Sequence, residues 1–153
     1  MCRRLRCKLL VILLALPAAT ACSDSGAPST TSSVTSPTSG VNVVENFTGT
    51  LTLNGGWSFP FSTVTSGSIA AELKSLDTVP PTVPPDPTLK VGLWVGVWDG
   101  ARCSSGIADD NAVKGTVINA FAISQGNFCV RIYDSKGNVP AGGETFQIEV
   151  THP

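Results

Sequence analysis

Two tryptophans, Trp94 and Trp98, stand four residues apart in the run VGLWVGVWDG. In an extended strand successive side chains point to opposite faces, so Gly92, Trp94, Gly96 and Trp98 share one face. Val91, Leu93, Val95 and Val97 take the other. Strand rise separates the two indoles by about 13 Å. Exposed, such a pair can stack on the apolar faces of sugar rings. The architectural alternative is that the rings are buried, since tryptophans in a two-layer domain usually cover at least one ring face. Gly92 and Gly96 would then admit a neighbouring backbone, and the five prolines between Pro80 and Pro87 could lie over the indoles. Burial is the expected arrangement, and a ligand platform is the functional alternative.

A second set of candidates is acidic. Asp99, Asp109, Asp110 and Asn111, with Asp134 further on, offer oxygen ligands to calcium, which takes six to eight of them. No EF-hand spacing is present, and Asp and Asn equally well cap turns. Catalysis has less to work with. The single histidine, His152, stands second from the end of the sequence, where neighbours are expected to hold it poorly. There is no Gly-x-Ser-x-Gly turn, no phosphate-binding glycine loop and no carboxylate pair singled out by spacing. The expectation is a protein without enzymatic activity.

Of five cysteines, only Cys103 and Cys129 lie in the body of the chain. In an exported domain such a pair reads as a disulfide, contributing about 3–4 kcal/mol through the unfolded state. No zinc spacing accompanies them. The 153 residues carry a formal net charge of −1, but four of the ten basic residues lie in the first 21 positions. Without that segment six basic residues face eleven acidic ones, a net −5, which argues against nucleic acid as a partner.

The N-terminal run MCRRLRCKLLVILLALPAATAC has a basic start, an apolar stretch from Leu9 to Leu16 and small residues before Cys22. That pattern predicts a secretory signal peptide over residues 1–21, too short in its apolar part to span a bilayer. Ala19-Thr20-Ala21-Cys22 resembles the lipobox of bacterial lipoproteins. The resemblance implies lipidation of Cys22, membrane lipid as a partner, and a place at the cell envelope, on the outer membrane or its periplasmic face. The Ser/Thr/Pro-rich stretch that follows, to residue 42, predicts a flexible tether.

From residue 43 to 153 the pattern becomes that of short strands. FTGTLTLNGGWSFPFSTV reads as a hairpin about Asn54-Gly55-Gly56, with Pro60 marking an edge or a bulge. SGSIAAELKSL reads as a strand with Ile69, Ala71 and Leu73 on one face. Strands are also predicted from Leu89, Thr116, Phe128 and Thr145, the last with Phe146, Ile148 and Val150 on one face. Gly100 to Gly115 reads as a long loop. Seven to eight such strands predict an antiparallel β-sandwich.

GLWVGVWDGARC, DDNA and NFCVRIYDSKGNVPAGGETFQIEVTHP together resemble the bacterial pre-peptidase C-terminal domain and its stand-alone relatives in secreted lipoproteins. The resemblance covers about residues 46–153. It implies a jelly-roll-like sandwich in an exported protein and does not imply a catalytic activity. The expected function is that of a binding or structural accessory module at the envelope, and the alternatives are a carbohydrate-binding module using Trp94 and Trp98 and a calcium-stabilised adhesion domain.

Overall fold

A computed structural model describes residues 41–80 and 84–153. The predicted signal peptide, the lipidation site Cys22 and the tether as far as Gly40 lie outside the described residues.

The described chain forms eight strands and no helix: β1 (Val43–Leu51), β2 (Gly56–Thr63), β3 (Gly67–Thr78), β4 (Val91–Trp98), β5 (Cys103–Ala112), β6 (Val117–Ala122), β7 (Gly126–Tyr133) and β8 (Glu144–His152). They pair as one long folded hairpin: β1 with β8, β2 with β7, β3 with β6 and β4 with β5. Further pairing of β3 with β8 and of β4 with β7 closes two four-stranded sheets, ordered β1-β8-β3-β6 and β2-β7-β4-β5. All pairs are antiparallel, and this is the jelly-roll form of the β-sandwich. The tip of the folded hairpin is the Asp99-Gly100 turn, where Asp99 N–H donates to Arg102 O at 3.2 Å and Gly100 has φ +97°. A left-handed φ suits glycine at that point.

Period-two patterning builds the core. Ile69, Ala71 and Leu73 of β3 and Phe146, Ile148 and Val150 of β8 face Val91, Leu93 and Val95 of β4 and Val130 and Ile132 of β7, all buried. Truncating one of the large members, such as Leu93→Ala, is expected to cost about 2–5 kcal/mol. The apolar face of β4 ends at Val95. Val97, expected to join it, is exposed beside the turn at the hairpin tip.

Two local expectations are corrected. β1 and β2 do not form a hairpin. Thr52 O accepts from Gly55 N–H at 2.8 Å, so the turn is tight, but the strands leave it into different sheets. Their aromatic residues meet face to face across the sandwich edge, Phe47 stacking on Phe59 at 5.0 Å, rather than side by side in one ladder. Asp134 fixes the turn from outside, its Oδ2 accepting from Asn54 N–H at 2.9 Å. Pro60 does lie on an edge strand, β2.

The second correction is β5, a ten-residue strand where a loop was expected. Its sequence, CSSGIADDNA, lacks apolar alternation because it is an edge strand interrupted by two register shifts, one before Leu93 and one after Gly96 of its partner. Ser105, with φ +43°, occupies the second of these irregularities.

Candidate functional site

The outer face of the sheet β2-β7-β4-β5 carries the candidate residues in rows set by the register. Gly56, Tyr133 and Gly92 form one row. Ser58, Arg131, Trp94 and Ala108 form the next, and Pro60, Cys129, Gly96 and Gly106 the third. The glycines of β4 therefore make troughs between large side chains.

Each trough is filled. A Cβ placed on Gly92 would fall against Cζ, Cε1 and Cε2 of Tyr133 at once, so the tyrosine ring spreads face-on over that glycine. Trp94 leans the other way. A Cβ on Gly96 would lie 2.7 Å from its Nε1, and Gly106 on β5 sits beneath the same nitrogen. The indole N–H is buried there without a hydrogen-bond partner among the described residues. Trp94, Arg131 and Tyr133 are each partly buried, with part of each side chain still open to solvent. Trp98 lies on the same face of β4, opposite Cys103, and is also partly buried.

Gly96 has a second task. Ser104 O and Ser105 O would lie 2.6 Å and 3.4 Å from its Cβ, so the first residues of β5 fold over the outer surface of β4. This approach explains how Cys103 of β5 reaches Cys129 of β7 although β4 runs between those strands. The two cysteines form a disulfide with Cα atoms 5.7 Å apart, closing a separation of 26 residues. The close backbone approach expected at the glycines is found at Gly96. The described part of the proline segment serves another place, where Pro85 and Pro87 line a cavity with Leu76 and Leu89.

A polar chain borders the aromatic rings. The Arg131 guanidinium lies 5.4 Å from the centre of the Tyr133 ring, a cation–π contact worth about 0.5–1 kcal/mol at an open site. Tyr133 Oη donates to Asp110 Oδ1, and Ser135 Oγ donates to Asp110 O at 2.8 Å. Burial, the bond to Asp110 and that carboxylate's charge push the Tyr133 hydroxyl up to about 12, so it stays a neutral donor at any physiological pH.

The acidic candidates are not assembled into one site. Asp99 sits in the hairpin-tip turn, where Oδ1 accepts from Ala101 N–H at 2.9 Å and Arg102 N–H at 2.8 Å. Those backbone bonds hold its carboxyl below the usual range. Asp109, Asp110 and Asn111 lie at the far end of β5, with Asp109 Oδ1 accepting from Asn111 N–H at 2.8 Å. Burial works to raise the Asp134 carboxyl, but backbone N–H groups of Asn54, Asn138, Val139 and Gly137 outweigh it and hold the group low. Asp99 and Asp134 serve turns, Asp109 accepts from the backbone of its own strand, and Asp110 accepts from Tyr133. Among the described residues no group of three or more His, Cys, Asp or Glu side chains is placed to hold a metal ion.

His152 departs from its expectation. It is 2% exposed, stacked on Phe61 at 5.0 Å between ring centres. Its Nε2 lies 2.9 Å from Glu45 Oε1 and its Nδ1 3.1 Å from Pro153 O. The period-two pattern of the last strand carried this signal, since His152 falls in phase with Phe146, Ile148 and Val150. Extending the same phase backwards reaches Glu144, 1% exposed and absent from the sequence-derived candidates. Tyr133 and Gly106, which complete the aromatic face, were also invisible as site residues, because each reaches β4 from another strand.

No family model matches the chain, and no curated protein matches it.

Proposed function

We propose that this protein is a non-enzymatic, lipid-anchored binding module of the bacterial cell envelope, built on a pre-peptidase C-terminal-like sandwich. Its ligand face is the outer surface of the sheet β2-β7-β4-β5, and its ligand class is carbohydrate. The observation that carries the reading is the seating of Tyr133 and Trp94 on glycines of their own sheet, each partly open to solvent. A ring supported from below loses little conformational freedom when a sugar stacks on it from above. Arg131 and the Asp110 carboxylate beside the rings supply the donors and acceptors that hydroxyl groups need. In this reading Trp94 is the central contact, Tyr133 extends it, and Trp98 is peripheral. Cys22 supplies the anchor.

Screening of the mature, full-length protein against a glycan array tests the ligand class. Trp94→Ala is expected to weaken the strongest signal about tenfold or more, as loss of a stacking aromatic does. Absence of any saturable glycan binding by the unaltered protein would leave the face an architectural feature. Retention of Cys22→Ala protein in the membrane fraction would remove the anchor from the proposal.

A further inference from the structure

The four most exposed large apolar side chains among the described residues stand at one end of the sandwich. Val41, Val64, Phe121 and Ile123 are 87%, 78%, 63% and 88% exposed, and the next, Val44, is 54%. The register brings them together. Val43 pairs with His152, Pro153 beyond it lies against Gly67, and Gly67 pairs with Ala122, so the starts of β1 and β3 meet the end of β6. In the other sheet Thr63 pairs with Gly126, and Thr63 Oγ1 donates to Ser124 O at 3.4 Å, which ties connection 64–66 to connection 123–125. Val64 and Ile123 flank that tie. Phe121 stands two residues before Ile123 on the outward phase of β6, whose inward residues Ile118 and Ala122 are buried.

Charge is distributed the other way. Connections 64–66 and 123–125 read VTS and ISQ and hold no ionisable residue. The ionisable residues that reach this end are paired. His152 Nε2 lies 2.9 Å from Glu45 Oε1, and Arg102 Nε lies 3.3 Å from Asp99 Oδ2 in the hairpin tip, which the pairing of Val97 with Phe128 brings to the same end. At the opposite end, connections 79–90, 113–116 and 134–143 carry Asp86, Lys90, Lys114, Asp134 and Lys136. A single exposed apolar side chain is ordinary, but several gathered at one end without free charge mark a contact surface.

We infer, resting on the Cys22 anchor of the proposed function, that this end of the domain docks on a lipid bilayer, with Val64, Phe121 and Ile123 in the interfacial layer. The chain enters the described fold at Val41, at this same end, and residues 22–40 lead back to Cys22. At about 3.5 Å per residue that stretch reaches no further than roughly 65 Å. A domain confined so near a surface needs only a weak second contact to settle on it. Apolar side chains on projecting loops suit a deformable layer entered to a depth of about 5–10 Å. The absence of unpaired charge from connections 64–66 and 123–125 spares the contact the cost of carrying an ion into that layer. Docked by its end, the sandwich keeps the outer face of β2-β7-β4-β5 to the side, clear of the lipid.

Two measurements test the docking. The mature, full-length chain carrying Cys22→Ala, which cannot be anchored, is titrated with phosphatidylcholine vesicles and its binding read by co-sedimentation. Saturable binding is expected, weakened about tenfold when Phe121→Ser and Ile123→Ser are combined. Val64→Ser, in a connection rather than a strand, gives a second variant expected to weaken binding severalfold. All three residues are exposed, so the urea midpoint should hold in each variant. In the second measurement the anchored protein is placed in nanodiscs containing a spin-labelled lipid. Methyl resonances of Val64 and Ile123 should broaden, while those of Leu53, exposed in the β1–β2 turn at the opposite end, stay sharp. No vesicle binding by the Cys22→Ala chain, unchanged affinity in the variants, or equal broadening at both ends overturns the docking and leaves the anchor standing. Vesicle binding by a protein whose Cys22 proves unmodified supports the docking and removes only the anchor. Concentration-dependent shifts of Val64 and Ile123 without lipid would assign the patch to a second copy of the chain and overturn the docking.

Discussion

The two outer faces of the sandwich are built to different rules. On the sheet β1-β8-β3-β6, Asn46, Thr48 and Thr50 of β1 lie opposite Glu149, Gln147 and Thr145 of β8. Gln147 Nε2 donates to Asn46 Oδ1 at 3.0 Å, and Lys74 Nζ lies 3.2 Å from Glu72 and 3.9 Å from Glu149. These are ordinary polar pairs, within β3 for Lys74 and Glu72 and across strands for the others, each worth a few tenths of a kcal/mol to about 1 kcal/mol. The face of β2-β7-β4-β5 instead has glycines under aromatic rings and a disulfide crossing over a strand. The first face is expected to tolerate change at most positions, because its side chains stand side by side. The second is not, because its side chains and one backbone segment lie on top of one another.

That contrast can be broken in stages. Replacing Cys103 and Cys129 by Ala should cost the most, about 3.5 kcal/mol for a loop of this length, read as a fall in the urea midpoint. Gly96→Ala comes next. It puts a methyl against Ser104 O, a backbone atom, and should cost about 1–3 kcal/mol with a changed near-UV signal from Trp94. Thr48→Val on the other face, the matching control, should stay within about 0.5 kcal/mol. An equal loss at both sites would erase the distinction between the faces.

Smaller effects should appear on titration, with opposite signs in the two sheets. Asp134, which follows β7, has a folded-state pKa below its unfolded value. Its contribution is present above the ordinary carboxylate range and is lost as pH falls through the lowered value. Glu144 of β8 has a folded-state pKa above its unfolded value. Stability therefore declines as pH rises from the ordinary glutamate range through the raised value. In urea unfolding across pH, Asp134→Asn should flatten the acid-side loss and Glu144→Gln the decline above it. A Glu144→Gln protein with an unchanged pH profile would show that its buried carboxyl is already relieved.

Much of the fold was legible because period-two patterning survives wherever a strand has one dry face, as in β3, β4 and β8. β5 was not, because an edge strand with two irregularities buries only Cys103 and Ala112 along its ten residues. The β1–β2 turn was legible as a turn but not as a crossing between sheets, since an Asn-Gly-Gly tip fixes the reversal and not the partner. The tryptophan face was half legible. VGLWVGVWDG carries the glycine troughs, but what fills them comes from Tyr133 on β7 and Gly106 and Ser104 on β5, which no reading of β4 alone could supply. His152 and Glu144 follow from the phase of β8, and nearness to the end of the sequence outweighed that phase in the reading.

The fold-over of β5 bears on how such molecules behave when crowded. An open sheet edge offers a row of free N–H and C=O groups on which another molecule can build, and proteins blunt such edges with bulges, charges and turned-away backbone. β5 combines all three: two irregular positions, the Asp109-Asp110 pair, and a first segment bent off the edge and fastened by the disulfide. The opposite sheet ends in β6, a strand of only six residues. At these two edges, β5 and β6, a neighbouring molecule would find a strand too irregular or too short to template a continuous ladder.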